Sequence, residues 1–210
     1  MTPRATPKAR EATGGTDPDP VMFLRPTYPV RTARLRLRPF VVGDVEAMLA
    51  YRGRADVCRY LPFEPQDRAT LLDRLSGPVL SRSDLTGEDQ ALTLGVWRHD
   101  TGQLVGDVIL FLRSESNRRG EIGWVFDPEH GGQGFATEAA GAVLDLAFAD
   151  LGLHRVEARL DARNERSAAL CERLGMRQEA HFRDTAVSDG GWADLLVYGL
   201  LAREWSGTAR

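Results

Sequence analysis

Apolar positions change their period along this chain, and each change marks an element. Residues 34–38 read Arg-Leu-Arg-Leu-Arg, an alternation that predicts a half-buried strand stopped by Pro39. Within 43–52, Val45, Met48 and Leu49 fall at helical spacing, with Asp44 as the candidate cap. After an apolar loop, Tyr60-Leu61-Pro62-Phe63, residues 67–75 predict a second short helix. Strands are expected at 91–98, 104–112 and 121–126, with a turn at Asp100-Thr101-Gly102 between the first two. Residues 135–151 carry apolar side chains at 135, 139, 143, 144, 147, 148 and 151, one continuous helical face ended by Gly152. A strand at 155–160, a short helix at 167–174 closed by Gly175, and strands at 178–185 and 193–201 complete the pattern. Ser188-Asp189-Gly190-Gly191 is the turn between the last two strands. Residues 1–25 have no apolar period and read as a flexible leader, ahead of one domain over 26–210. The pattern is that of a mixed α/β domain built on one sheet.

Composition narrows the class. A chain of 210 residues suits one sizeable core. Its net charge of −3 offers no general attraction to nucleic acid or an anionic membrane. No apolar run nears the length of about 18 residues that spans a membrane, and the first residues lack the apolar core of a signal peptide. Cys58 and Cys171 are the only cysteines, so no disulfide framework is implied and the cytoplasm is the expected compartment. His130 and His181 lie apart from any ligand-spaced Cys or carboxylate motif, so no metal site is expected.

The segment between the strand at 121–126 and the long helix carries the clearest chemistry. Glu129-His130-Gly131-Gly132-Gln133-Gly134-Phe135-Ala136-Thr137-Glu138-Ala139 has small residues at 131, 132, 134 and 136, which let backbone approach a bulky anion. The helix start adds outward N–H groups and partial positive charge, which suits a phosphate. It is not a Walker loop, because no Gly-Lys-Ser/Thr follows. Nor is it a dinucleotide fingerprint, because Thr137 stands where the last glycine belongs. Read alone, the segment is an anion site at a helix start or a glycine-rich turn with no ligand.

Gly132-Gln133-Gly134-Phe135-Ala136-Thr137-Glu138-Ala139 resembles the acyl-CoA signature of the GNAT superfamily of N-acetyltransferases. Asn164-Glu165-Arg166-Ser167, followed by Leu170-Cys171-Glu172-Arg173-Leu174-Gly175-Met176, resembles a second block of its RimJ/RimL-like branch, the ribosomal-protein N-terminal acetyltransferases. Three further segments match in order: 34–40, Glu121-Ile122-Gly123-Trp124, and 191–198. The resemblance spans residues 31–205 and implies one mixed, mostly antiparallel sheet of about six to seven strands flanked by about four helices. This chain departs from the family at Gly131 and Gln133, where longer polar or basic side chains are common, and at Cys171, where a general-acid Tyr often stands.

The resemblance implies direct transfer of acetyl from acetyl-CoA, as cosubstrate, to a primary amine: a protein N-terminal α-amine or a small molecule. Gly131, Gly132, Gly134, Phe135, Ala136 and Thr137 would hold the coenzyme pyrophosphate. Val125 and Phe126 would pair with its pantetheine arm, and Asn164 would bond the arm from the neighbouring strand, with a turn-forming Asn after Ala162-Arg163 as the other reading of Asn164. Glu121 is the first candidate base and Asp107 the second, with a solvated strand-end carboxylate the other reading of Glu121. Ser167 is the first candidate donor to the leaving thiolate, in competition with a helix N-cap role. Cys171, at i+4 from Ser167, is a further candidate acid or a buried core thiol, and Cys58 is expected to be structural. Tyr60–Phe63, Phe182-Arg183-Asp184 and Trp192 are the expected acceptor walls, with loop packing as the other reading. A homodimer is allowed, and nothing in the sequence sets the oligomeric state. The competing class is an acyl-CoA-binding regulatory module without turnover.

Overall fold

The computed structural model of the chain describes residues 23–188 and 191–207. Among these, eight strands form one sheet: β1 (Val30–Arg31), β2 (Leu35–Arg38), β3 (Ala91–Arg98), β4 (Leu104–Ser114), β5 (Arg119–Phe126), β6 (Arg155–Asp161), β7 (Arg177–Ser188) and β8 (Gly191–Leu201). Their spatial order is β1-β2-β3-β4-β5-β6-β8-β7. Every neighbouring pair is antiparallel except β5 and β6. The expected single mixed, mostly antiparallel sheet is therefore present, with β1 as an eighth strand too short to show an alternation.

Six α-helices flank the sheet: α1 (Val45–Arg52), α2 (Ala55–Cys58), α3 (Arg68–Ser76), α4 (Pro78–Ser81), α5 (Phe135–Asp145) and α6 (Glu165–Arg173). Helices α2 and α4 are single turns, which leave no period to read. Asp67 caps α3, its side chain accepting from the Thr70 N–H at 2.8 Å. Asp44 does not cap α1 with its side chain. It instead pairs with Arg38, Nη1 to Oδ2 at 2.8 Å, and accepts from the Val41 N–H, so a short 3-10 turn precedes the helix. The long helical face is interrupted as well: α5 passes into a π-helical stretch, Leu146–Asp150, before Gly152 at φ +70°.

One core lies between the sheet and α5 and α6. Ala139, Ala140, Val143, Leu144 and Ala147 of the long helical segment meet Val108, Leu110 and Leu112 of β4 and Ile122 of β5. Small alanines let the helix lie close to the strands, so α5 begins at a set distance from the end of β5. A second core, around Phe40, Met48, Tyr51, Leu71, Trp97 and Val125, packs α1, α3 and α4 on the other face. Residues 1–22 of the expected leader lie outside the described residues. Leu24 is already part of the fold: it is buried, and its N–H and C=O pair with Leu85.

The β5–β6 pair positions everything that follows. The two strands are in register only from Arg119↔Arg155 to Glu121↔Glu157. Beyond that, Ile122–Phe126 pair with β4 alone and Ala158–Asp161 with β8 alone. The sheet therefore opens as a wedge between the carboxyl ends of two parallel strands, where open α/β sheets place their ligands.

Candidate active site

The glycine-rich turn emerges from the wedge. After β5, Asp127 caps a 3-10 turn, Pro128–His130, and the chain crosses Gly131–Gly134 into α5. Gly132 and Gly134 have φ of +75° and +80°, a region that favours glycine. Gly134 is the N-cap of α5 and supplies no side-chain cap, so the N–H groups of the first turn point outward without one. Residues 131–134 are exposed. Two arginines flank the turn. Arg34 donates from Nη1 to the Gln133 carbonyl at 2.8 Å and from Nε to Glu138 at 2.7 Å, with its guanidinium 4.8 Å from the Phe135 ring centre. Arg173 of α6 donates to Thr137 Oγ1 at 3.2 Å. Neither was singled out in the sequence, where Arg34 is simply the polar member of an alternating strand.

Asn164 and Ser167 lie where β6 hands over to α6. Asn164 is the N-cap, its Oδ1 accepting from the Ser167 N–H at 3.1 Å. The N-cap role considered for Ser167 is thereby corrected: the cap lies three residues earlier, at Asn164, the helix begins at Glu165, and Ser167 sits in its first turn. The Ser167 hydroxyl faces across the wedge to β5, where Trp124 Nε1–H donates to its Oγ at 3.2 Å. Cys171 does not join them. It is fully buried among Leu170, Leu174 and Met176, and burial pushes its thiol up to about 12. The turn of helix that separates it from Ser167 carries it from the wedge into the core.

A cavity of about 1190 Å³ opens beside the wedge, lined by Tyr60, Leu61, Pro62 and Phe63 on one side and by Thr185, Ala186, Val187 and Ala193 to Leu195 on another. Glu121 lines it too, paired with Arg113 at 3.0 Å. The expected acceptor wall at Phe182-Arg183-Asp184 and Trp192 is displaced. Phe182 and Trp192 are exposed and do not line the cavity, because a bulge between Phe182 and Ala186 shifts the facing residues to 185–187. Asp107, the second candidate base, is unable to serve. It is 1% exposed and held by Arg52, Nη2 to Oδ1 at 2.7 Å, while the Tyr51 hydroxyl donates to its other oxygen. Cys58 is buried and donates its thiol to the Arg52 carbonyl at 3.3 Å. His181 pairs with Asp194 at 2.7 Å, and no group of three metal-ligand side chains occurs among the described residues.

A sheet that parts between two parallel strands, followed by a glycine-rich turn into a helix, is the arrangement that open α/β sheets use for ligands. A family model described as an acetyltransferase (GNAT) domain matches residues 34–177. The chain belongs to the GNAT acetyltransferase family and is an N-acetyltransferase that uses acetyl-CoA. It is 29% identical over 180 residues to an uncharacterized N-acetyltransferase, YnaD, of Bacillus subtilis, covering 84% of this chain and 99% of that one. It is 29% identical over 162 residues to the spermidine N(1)-acetyltransferase of Escherichia coli, covering 77% and 83%. The crystal structure of a GNAT-family acetyltransferase from Bacillus anthracis superposes with a TM-score of 0.72 at 28% identity, covering 87% of this chain and all of that one. Among the described residues, no helix is long and apolar enough to cross a membrane.

Proposed function

We propose that this enzyme moves acetyl from acetyl-CoA directly to a primary amine in the wedge between β5 and β6, with the α-amine of a polypeptide as first choice of acceptor. The backbone of Gly131–Thr137 would hold the pyrophosphate. The open edge of β5 at Val125 and Phe126, with the Asn164 amide opposite, would hold the pantetheine arm. The amine nitrogen attacks the thioester carbon from the side of the cavity, the C–N bond forms and the C–S bond breaks. The proton lost from the amine passes to Glu121, the Ser167 hydroxyl donates a hydrogen bond to the departing thiolate, and the thiolate takes its proton from solvent as Glu121 gives its own up.

The observation that carries this reading is the Trp124–Ser167 hydrogen bond. An indole N–H is only a donor, so Ser167 Oγ is the acceptor, and the single hydroxyl proton is left to point elsewhere. Ser167 is thus held as a donor beside the opening. The α-amine preference rests on the RimJ/RimL-like blocks and on acidity. An α-amine with a pKa near 8 is uncharged to about a tenth at neutral pH, so a surface carboxylate such as Glu121 suffices, whereas a lysine near 10.4 demands a stronger base. A polyamine acceptor is the second reading: Asp56, Glu64, Glu121, Asp161 and Asp194 line the cavity, of which Asp56, Glu121 and Asp161 are paired with Arg54, Arg113 and Arg163 and Asp194 with His181. The catalytic domain would begin by Leu24, ahead of the expected residue 26, and run to 210, acting in the cytoplasm without a metal, nucleic acid or membrane.

The test is release of coenzyme thiol from acetyl-CoA against peptides with free N-terminal Ser or Ala, spermidine and free amino acids, with acetyl-CoA binding followed by calorimetry. Thiol release that saturates with a peptide supports the first acceptor, and release with spermidine alone supports the second. Saturable binding with no release from any amine leaves a binding module in place of an enzyme.

A further inference from the structure

The sheet buries an ion pair that the proposed chemistry does not use. Arg52, at the last turn of α1, is 4% exposed, and Asp107 of β4 is 1% exposed. Their contact is bidentate: Nη2 to Oδ1 at 2.7 Å and Nε to Oδ2 at 3.1 Å. A buried pair of this kind adds little net stability over apolar residues of the same shape, so its value lies in the geometry it imposes. Two observations show what that geometry reaches. On one side, Asp107 stands beside Val125 in the β4–β5 register, on the strand next to the one proposed to carry the thioester. On the other, Arg52 holds both ends of the loop that forms the cavity's first wall. Its carbonyl accepts from the Gln66 N–H at 2.9 Å and from the Cys58 thiol at 3.3 Å. Its Nη1 donates to Gln66 Oε1 at 3.4 Å, and its guanidinium lies 5.4 Å from the centre of the Phe63 ring, a cavity-lining residue.

We propose that Arg52 is a positioning residue that registers the acceptor wall, loop 58–66, against the coenzyme strand β5 through Asp107. The inference rests on the reading of this cavity as the acceptor site. Three residues, Asp107, Arg52 and Gln66, form a short link of fixed length between the strand that presents the acyl group and the wall that presents the amine. Loosening that link moves one substrate relative to the other while leaving the phosphate turn untouched.

Gln66→Leu removes the side-chain bond between the Arg52 guanidinium and the loop, keeps the backbone bond from residue 66 to the Arg52 carbonyl, and keeps the Arg52–Asp107 pair. Arg52→Met combined with Asp107→Leu removes the pair without leaving a lone buried charge. For Gln66→Leu, KM for the amine that the wild type acetylates, N-terminal Ser peptide or spermidine, is expected to rise about tenfold, because small displacements of a positioned reactant are costly. The acetyl-CoA dissociation constant stays within about twofold, the mark of a change confined to one substrate. Amide exchange across 59–66 quickens, while that across 120–126 does not. The double variant is expected to show the same split.

An amine KM equal to wild type overturns the inference, whether or not the loop exchanges faster. So does weakened acetyl-CoA binding in step with the amine, which marks general loosening. Wild-type protein that binds acetyl-CoA but acetylates none of the amines instead overturns the acceptor reading, and this inference with it.

Discussion

Trp124 constrains Ser167 by simple counting of donors and acceptors. If the indole keeps the serine hydroxyl aimed at the departing sulfur, Ser167→Ala lowers kcat by about a hundredfold with acetyl-CoA KM little changed. Trp124→Phe keeps the ring, loses the donor and lowers kcat by about tenfold. The double variant falls no further than Ser167→Ala, because the two side chains act as one unit. Steady-state kinetics on the four proteins checks this, and additive losses sink the shared role. Cys171 belongs to the core. With its thiol pushed up to about 12 by burial, it resists a disulfide thiol reagent in the folded enzyme and reacts once denaturant unfolds the chain. Cys171→Ala keeps kcat. The sequence placed Ser167 and Cys171 on one helical face, and that spacing is real. What spacing does not encode is where along α6 the core begins. Asp107 was equally ambiguous, because its partner Arg52 lies 55 positions away.

Elements were largely legible, since each depends on local periodicity and capping. The spans of β3 and α3 match the pattern closely, with Asp67 the cap of α3 and not its first residue. Boundaries shifted where two polar residues competed for one cap, as Asn164 and Ser167 do at α6. The glycine-rich turn is an element-scale feature as well. A Cβ at Gly132 would meet no protein atom within 4 Å, so what the fold itself needs from glycine there is its φ of +75°. Forcing an L-residue into that conformation costs about 1–2 kcal/mol, so Gly132→Ala is expected to raise the acetyl-CoA KM about tenfold through a displaced backbone. The amine KM stays put, and kinetics in both substrates read the difference.

At the scale of the whole molecule, distant segments hold the site in place. Thr32 and Arg34, ahead of β2, bind Glu138 in the first turn of α5 through the Thr32 hydroxyl, the Arg34 N–H and the Arg34 guanidinium. Burial alone would raise the Glu138 pKa, but these three bonds outweigh it and the carboxyl is held below its ordinary value of 4.5. Its contribution to stability is therefore complete above about pH 4.5 and is lost as pH falls through the lower folded value. At pH 7, Glu138→Gln is expected to lose about 1–3 kcal/mol relative to wild type. Denaturant melts between pH 7 and pH 3 should show that gap closing on the acid side, and a gap independent of pH would rule out the linkage.

The order of polar and apolar residues determined the strands, the long helix and the glycine-rich turn, because backbone hydrogen bonding and side-chain alternation act over a few residues. Five blocks in order were enough to suggest an acyl-CoA enzyme. Tertiary structure alone decided that β5 and β6 part after Glu121, that Trp124 meets Ser167 across the gap, and that Asp107 is sealed by Arg52. It also made residues 185–187, and not Phe182 and Trp192, the ones that line the cavity, through a bulge no local pattern announces. Each of these joins residues from separate elements, and such contacts depend on how elements pack, which local sequence does not encode.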